Sequence, residues 1–304
     1  MLAEDFRCGY AAIVGRPNVG KSTLLNALLG EKLSIVTPRP QTTRHRILGI
    51  LTTSRAQILF IDTPGLHRSR PRAMHRLMNR TAASSLADAD VALMVIEALA
   101  WTEEDEAVLR RIADSNVEAL LVVNKCDRIA PKSRLLPFLE QVAARGSFSE
   151  IVPASALEGT NLEVLPGLIV DRLPHAPALF PAEQLTDRSM RFIAAEIIRE
   201  KLMRRLRDEL PYGLSVQIER YEEAPKGVLI GAVIWVERPG QKAIVIGEGG
   251  KLLKEAGRAA RLDLKARLER PVRIELWVKV RENWSDSERA LREFGYGDPS
   301  DHVP

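Results

Sequence analysis

Cysteine is nearly absent: Cys8 and Cys126 are the only two in 304 residues, too few for a disulfide framework or a cysteine-built zinc site. That scarcity predicts a reducing, cytosolic setting. Long apolar runs are missing too, since the longest, such as 91–100, fall well short of the roughly 20 residues a membrane-spanning helix needs. The first residues, Met1-Leu2-Ala3-Glu4-Asp5, lack the basic segment and apolar core of a secretion signal, so no secretion is predicted. Charge of one sign is also scarce. Lys and Arg number 44 against 40 Asp and Glu, a net +4, and the excess is equally small in residues 1–175 (21 against 19) and 176–304 (23 against 21). Any surface for a polyanion must therefore be local.

What is present is globular, with 45% hydrophobic and 28% charged residues, and long enough for two domains. One stretch organises the chain: Gly15, Arg16, Pro17, Asn18, Val19, Gly20, Lys21, Ser22 fits G-x-x-x-x-G-K-[ST]. It follows the apolar run 10–14 and leads, from Thr23, into a helical pattern. Strand, glycine loop and helix thus come in the order that lets backbone N–H groups cradle a phosphate at a helix N-terminus. In such a cradle Lys21 reaches the β- and γ-phosphates and Ser22 ligates Mg²⁺.

Apolar, β-branched-rich runs at 56–61, 90–96, 117–123 and 150–153 alternate with helical patterns, the rhythm of a parallel α/β sheet. Residues 47–54 followed directly by 56–60 read instead as a hairpin, giving one antiparallel edge. Ligands of such sheets lie beyond the carboxyl ends of strands, so the residues there carry the chemistry. Asp62-Thr63-Pro64-Gly65 offers a carboxylate for Mg²⁺ and a backbone N–H for a γ-phosphate. Asn124-Lys125-Cys126-Asp127 ends in a carboxylate that can accept both the N1–H and the N2–H₂ of guanine, whereas adenine presents an acceptor at N1 and no amino group at C2. Ser155 and Ala156 are small enough to let a purine approach the backbone.

In this order the four segments resemble the guanine-nucleotide motifs of the P-loop GTPases. The resemblance makes 38–46 switch I, with Thr42 or Thr43 closing onto Mg²⁺ and the γ-phosphate, a choice the sequence leaves open. It makes Gly65 and the following stretch, with the helical pattern 73–86, switch II. Leu66 stands where Ras-like relatives carry a water-orienting glutamine, so hydrolysis must be completed by other means. Asn18 matches a subset in which K⁺ supplies catalytic charge, while bonding within its own loop is the alternative role.

Residues 174–186 hold three prolines and no helical period, a semi-rigid linker between domains at 1–173 and 187–304. A helix is predicted over 189–207, with Ile193, Ile197, Ile198 and Leu202 on one side, Arg199, Arg204, Arg205 and Arg207 largely on others, and Pro211 at its end. Strands follow at 213–221, 228–236 and 273–280. Between the last two, Ile246, Gly247, Glu248, Gly249, Gly250 and Lys251 form I-G-x-x-G at the entry to a helix. Glycines there allow close approach to a sugar-phosphate backbone. From Arg238 to Arg281 the chain has 12 basic against 5 acidic residues, and Lys251, Lys254 and Arg258 would track phosphates. Glu248 is an unexpected carboxylate in that loop. Asp286, Glu288 and Glu293 read as surface charges of a C-terminal helix, and the second half offers no nucleophile or metal cluster for RNA-modifying chemistry.

The order helix, strand, strand, helix-GXXG-helix, strand resembles a type II KH domain. Joined to a GTPase carrying G-R-P-N-V-G-K-S and Q-T-T-R-H-R, it resembles the Era family over nearly the whole chain, including Leu210-Pro211-Tyr212, 276–280 and 283–296. The resemblance implies an α/β P-loop GTPase domain with a mostly parallel sheet, then an α+β KH domain, GTP/GDP and Mg²⁺ as ligands, and K⁺ as a further candidate. It also implies a monomer that binds the 3′ end of 16S rRNA, assists small-subunit maturation, and associates peripherally with the inner membrane. The competing reading is a membrane-associated signalling GTPase whose second domain binds protein.

Overall fold

Six strands build the first sheet: β1 (Arg7–Val14), β2 (Ile47–Thr52), β3 (Ala56–Asp62), β4 (Val91–Glu97), β5 (Glu118–Asn124) and β6 (Glu150–Pro153), in the order β2-β3-β1-β4-β5-β6. The computed structural model describes residues 5–37, 39, 42–65, 72–206 and 213–296. Pro38, Pro40, Gln41, Leu66, 67–71, 207–212 (with Arg207 and Leu210-Pro211-Tyr212) and 297–304, on which some expectations fall, lie outside the described residues. All neighbouring strands are parallel except β2 and β3, the expected hairpin, which leaves β2 as an antiparallel edge.

Side-chain alternation in β1 feeds two cores. Ala11 and Ile13 face α1 (Lys21–Leu29) and α5 (Leu165–Val170), while Ala12 and Val14 face α2 (Ala73–Ala87), α3 (Glu103–Ser115) and α4 (Leu135–Ala143). Because both faces are covered, the central strands read as continuous apolar runs. The chain leaves β1 toward β2 and β3 on one side and reaches β4 on the other, which opens a crevice at the carboxyl end of β1.

The proline-rich segment 174–186 is a strap rather than a free connector. Cys8 N donates to Pro174 O (3.1 Å) and Ile50 N to Leu185 O (2.9 Å). Buried Gln57 donates Nε2 to Phe180 O (2.8 Å) and accepts at Oε1 from Leu179 N (2.8 Å) and Phe180 N (3.0 Å). Extended, proline-stiffened backbone suits this: it offers groups to a sheet face without a ladder of its own. Ala176, Ala178 and Phe180 pack over Phe6, Leu48 and Leu59.

Next comes α6 (Met190–Arg205), capped where Ser189 Oγ accepts from Phe192 N (3.3 Å). Its isoleucines join the core that Ala11 and Ile13 enter, which continues under the second sheet, as the periodicity predicts. Its charged side does not solely face water: Arg199 is 1% exposed, and Glu196, Glu200 and Lys201 are buried with it, because this side packs against residues 32–46. Helical periodicity finds apolar stripes and is blind to a polar face covered by another domain.

The second sheet has β7 (Leu214–Ala224) antiparallel to β8 (Gly227–Val236), and β8 parallel to β9 (Val272–Val280). A bulge between Ile218 and Arg220 breaks the simple alternation expected of β7. Between β8 and β9 lie α7 (Pro239–Ile246) and α8 (Lys251–Leu268), and a short helix α9 (Glu288–Glu293) follows. This is an α+β unit with the element order of a type II KH domain. Asp286 is not merely a surface charge: its Oδ1 accepts from Ala73 N (2.8 Å), the first residue of α2. Beside it, fully buried Trp284 packs with Met74 and Met78 of α2. Among the described residues no helix is long and apolar enough to cross a membrane.

Candidate functional site

Beyond Val14 the backbone turns through Gly15 (φ +155°), Asn18 (φ +64°) and Gly20 (φ +105°). A Cβ at Gly20 would lie 2.2 Å from Asn124 Nδ2, and one at Gly15 would lie 2.4 Å from the Val95 carbonyl oxygen, so neither position admits a side chain. Lys21 opens α1, 6% exposed, and its Nζ donates to Gly15 O (2.9 Å) and Arg16 O (3.0 Å). Burial pushes its pKa down to about 8. An anion in the loop supplies the counter-charge that favours the ammonium form.

Three oxygens meet beside it. Ser22 Oγ lies 2.7 Å from Asp62 Oδ2 and 2.8 Å from Thr43 Oγ1, and Ser34 Oγ donates to the same Asp62 oxygen (3.0 Å). Asp62 is fully buried, and its Oδ1 has no hydrogen-bond partner. Burial pushes this carboxyl up, against the Ser22 hydrogen bond and the Lys21 charge. Hard oxygen donors with an unsatisfied buried carboxylate suit a small divalent cation such as Mg²⁺. Both threonines line the cleft, but the Thr42 hydroxyl is engaged elsewhere: its Oγ1 lies 2.6 Å from Thr37 Oγ1 and donates to Arg39 O (2.7 Å). Only Thr43 faces Ser22. Gly65 closes the far side, where an added Cβ would stand 2.9 Å from Pro17 Cγ and 3.0 Å from its backbone N and Cα. Thr63 is buried, donating Oγ1 to Ile13 O (2.9 Å), and Pro64 is buried next to it, so both support the loop.

The segments 124–127 and Ser155-Ala156, expected to read the base, come together at the ends of β5 and β6. Asn124 joins them: Nδ2 donates to Val19 O (2.8 Å) and Oδ1 accepts from Ala156 N (2.9 Å). Its side chain therefore ties the phosphate loop to the Ser155-Ala156 turn. Asp127 is exposed, one oxygen accepting from buried Ser155 Oγ (2.7 Å). Lys125, in the left-handed region (φ +65°), pairs with Glu97 Oε2 at 2.7 Å. Glu97 also faces Arg16 (3.7 Å), whose Nε donates to Asp105 (3.1 Å). Sequence reasoning missed Glu97, yet the signal existed: it ends β4, a parallel strand, where ligand-site chemistry concentrates. A cleft of about 310 Å³ runs from the phosphate loop to Lys125, lined by Pro17, Lys21, Ser22, Thr42, Thr43 and Gly65 among others, with Asn18 and Thr23 on its wall. Arg39 of the switch I stretch also lines it, as do Val36 and Arg128, to which no motif pointed.

The GXXG loop makes a second site. Gly247 (φ +74°), Gly249 (φ +56°) and Gly250 (φ +77°) all take positive φ, with Glu248 exposed between them. Lys251, Lys254 and Arg258 are exposed one turn apart along α8, whereas Ile246 packs partly against the core. Between α8 and β9 runs a groove of about 390 Å³ whose wall includes Leu253, Gly257, Arg261, Ile274 and Leu276. Gly257 keeps it open, since a Cβ would come within 3.1 Å of Leu276 Cδ1.

Known proteins are similar to this chain over the regions that hold both sites. The family described as 50S ribosome-binding GTPase matches residues 10–125, and the KH domain family matches 209–285. GTPase Era of Xanthomonas oryzae is 54% identical over 97% of this chain and 99% of its own, and that of Pseudomonas aeruginosa is 52% identical over 96% of each. Two solved structures superpose with a TM-score of 0.94 at 42% identity, covering 96% of this chain and all of theirs: an Aquifex aeolicus Era variant bound to GDP·AlF₄⁻, and Era in complex with MgGDPNP and nucleotides 1506–1542 of 16S ribosomal RNA. Likeness of this degree runs unbroken through cradle, strap and GXXG helix, and so the chain belongs to the Era family of GTPases.

Proposed function

We propose that this GTPase is a Mg²⁺-dependent switch that binds the 3′ end of 16S rRNA and assists maturation of the small ribosomal subunit. The observation that carries the reading is that the half of the chain bearing the GXXG groove grips both switch regions. Arg199 holds the Thr42 carbonyl, and Asp286 with Trp284 holds the start of α2. A ligand can shift an equilibrium only through differential affinity for its states, and these contacts give the nucleotide a means to differ.

At the nucleotide, Lys21 neutralises the β- and γ-phosphates and the Gly65 N–H reports the γ-phosphate. Ser22 and Thr43 are the metal-facing hydroxyls, with Asp62 behind them. The metal supplies charge neutralisation and a template for the phosphates. Asp127 selects guanine, while Asn124, Lys125, Ser155 and Ala156 hold its loop in register. Asn18, on the cleft wall, is the residue that would bring K⁺ to the transferring phosphate. The MgGDPNP–RNA complex of a 42% identical relative supports the ligand set. The protein would act as a cytoplasmic monomer, with peripheral inner-membrane association.

Titrating a single-stranded copy of the 16S 3′ end across salt tests the RNA reading. Contact with about four nucleotides predicts affinity falling roughly 20- to 50-fold as salt rises fourfold. A flat profile would favour the alternative, in which the basic face of α8 is merely solvated and the second domain docks protein.

A further inference from the structure

From Val36 to Arg46, the described residues of switch I lie against the second half of the chain. Val36 N donates to Glu200 Oε1 (3.3 Å) and Val36 O accepts from Arg204 Nη2 (2.8 Å). The Arg39 guanidinium reaches the Leu206 carbonyl at the end of α6. Arg44 Nη1 donates to Leu214 O (2.7 Å), His45 stacks on Tyr296 with centroids 4.5 Å apart, and Arg188 donates to the Arg46 carbonyl. Thr43 and Arg44 therefore point opposite ways, one to the metal-facing oxygens and the next into the second domain.

At the centre of this contact stands Arg199. Its Nε and Nη2 form a two-point bond with Glu196 (2.8 and 2.6 Å), and Nη2 also donates to the Thr42 carbonyl oxygen (2.5 Å). Burial alone would push Glu196 up, but the Arg199 charge and hydrogen bonds hold it below its ordinary value, so the pair stays ionised. A guanidinium fixed at two points and 1% exposed is a rigid donor. The carbonyl it holds belongs to the peptide joining Thr42 to Thr43, so its direction sets where the Thr43 hydroxyl points.

We propose that Arg199, carried by the second domain, is a positioning residue for GTP hydrolysis: by fixing the Thr42–Thr43 peptide it presents the Thr43 hydroxyl to the metal beside Ser22 and Asp62. The inference rests on the reading of Thr43 as a metal-facing hydroxyl. Arg199 touches neither nucleotide nor metal, and no motif marks it. It places part of the catalytic geometry under the control of whatever moves α6, and α6 is tied through Lys201 and Lys32 to Asp263 on α8, the helix that begins at the GXXG loop.

The test uses the full chain. Glu196→Gln with Arg199→Gln removes the cation without stranding a buried carboxylate. It is compared with Thr43→Ala and with the triple variant for GDP affinity, hydrolysis at saturating GTP, and half-saturating Mg²⁺. The expected result is GDP affinity within about threefold and hydrolysis down roughly 10- to 100-fold, the range of one lost charge-assisted hydrogen bond. The Mg²⁺ requirement should rise in step, and the triple variant should fall no further than Thr43→Ala. Hydrolysis within twofold of the parent, or losses that multiply in the triple variant, would reduce Arg199 to an interdomain fastening. Unchanged activity and Mg²⁺ requirement in Thr43→Ala would instead remove the metal reading and the role of Arg199 with it. Should the double variant fail to fold, Arg199→Lys carries the same test. One ammonium cannot hold Glu196 at two points and the Thr42 carbonyl together, and hydrolysis should drop at least roughly fivefold.

Discussion

Asp127→Asn lowers GTP affinity by roughly a hundredfold or more and admits xanthosine triphosphate in its place. The exposed Asp127 carboxylate can accept the N1–H and N2–H₂ of guanine together, two hydrogen bonds of about 1.5–3 kcal/mol each when one partner is charged. An asparagine turns one acceptor into a donor, which faces the guanine amino group unfavourably but suits the carbonyl that xanthine carries at C2. The Ser155 hydroxyl, 2.7 Å from Asp127 Oδ1, holds the side chain in place, so the substitution changes chemistry more than position. Fluorescent-nucleotide titration with both triphosphates reads the exchange. Equal GTP affinity in parent and variant would contradict guanine selection by Asp127.

Gly65→Ala separates hydrolysis from binding. A methyl at that position meets Pro17 at 2.9–3.0 Å, and two of the three contacting atoms are backbone of the phosphate loop, which has little freedom to give. Residue 65 must retreat, and its N–H then cannot approach a γ-phosphate. A displacement approaching 1 Å costs about a hundredfold in rate. GDP lacks the γ-phosphate and should bind the variant within a few-fold of the parent. Single-turnover hydrolysis beside GDP titration checks this, and hydrolysis within threefold of the parent would show that Gly65 approaches nothing in the reaction.

The phosphate cradle, the strand-end carboxylates and the GXXG loop were legible because each is a local pattern with a local cause. A glycine is needed where backbone must approach phosphate, and polar chemistry collects where a parallel strand ends. The antiparallel edge strand was legible because the 47–60 run leaves no room for a crossover. What stayed hidden is long-range and polar. Arg199 reads as a residue off the apolar side of its helix, Asp286 as a surface charge and 174–186 as a semi-rigid linker with no sign of what it packs on. Their partners, the Thr42 carbonyl, the Ala73 N–H and Gln57, lie far along the chain, and two of the three are backbone groups that leave no mark in a sequence. The choice between Thr42 and Thr43 was hidden for a related reason. Adjacent, chemically identical residues cannot be told apart in a sequence, and only the positions of Thr37 and Ser22 decide which hydroxyl each one meets.

If the contacts between the switch segments and the second domain let the nucleotide set RNA affinity, fluorescence anisotropy of a labelled RNA copying the 3′ end of 16S rRNA should read different affinities with a non-hydrolysable GTP analogue and with GDP. Binding at least roughly tenfold tighter with the analogue is expected, within the usual range of coupling between sites. This coupling also requires loss of that binding in Gly249→Asp, where left-handed backbone (φ +56°) and a new carboxylate both oppose the phosphate clamp. Equal affinity in the two nucleotide states, or tight binding that survives Gly249→Asp, would contradict it.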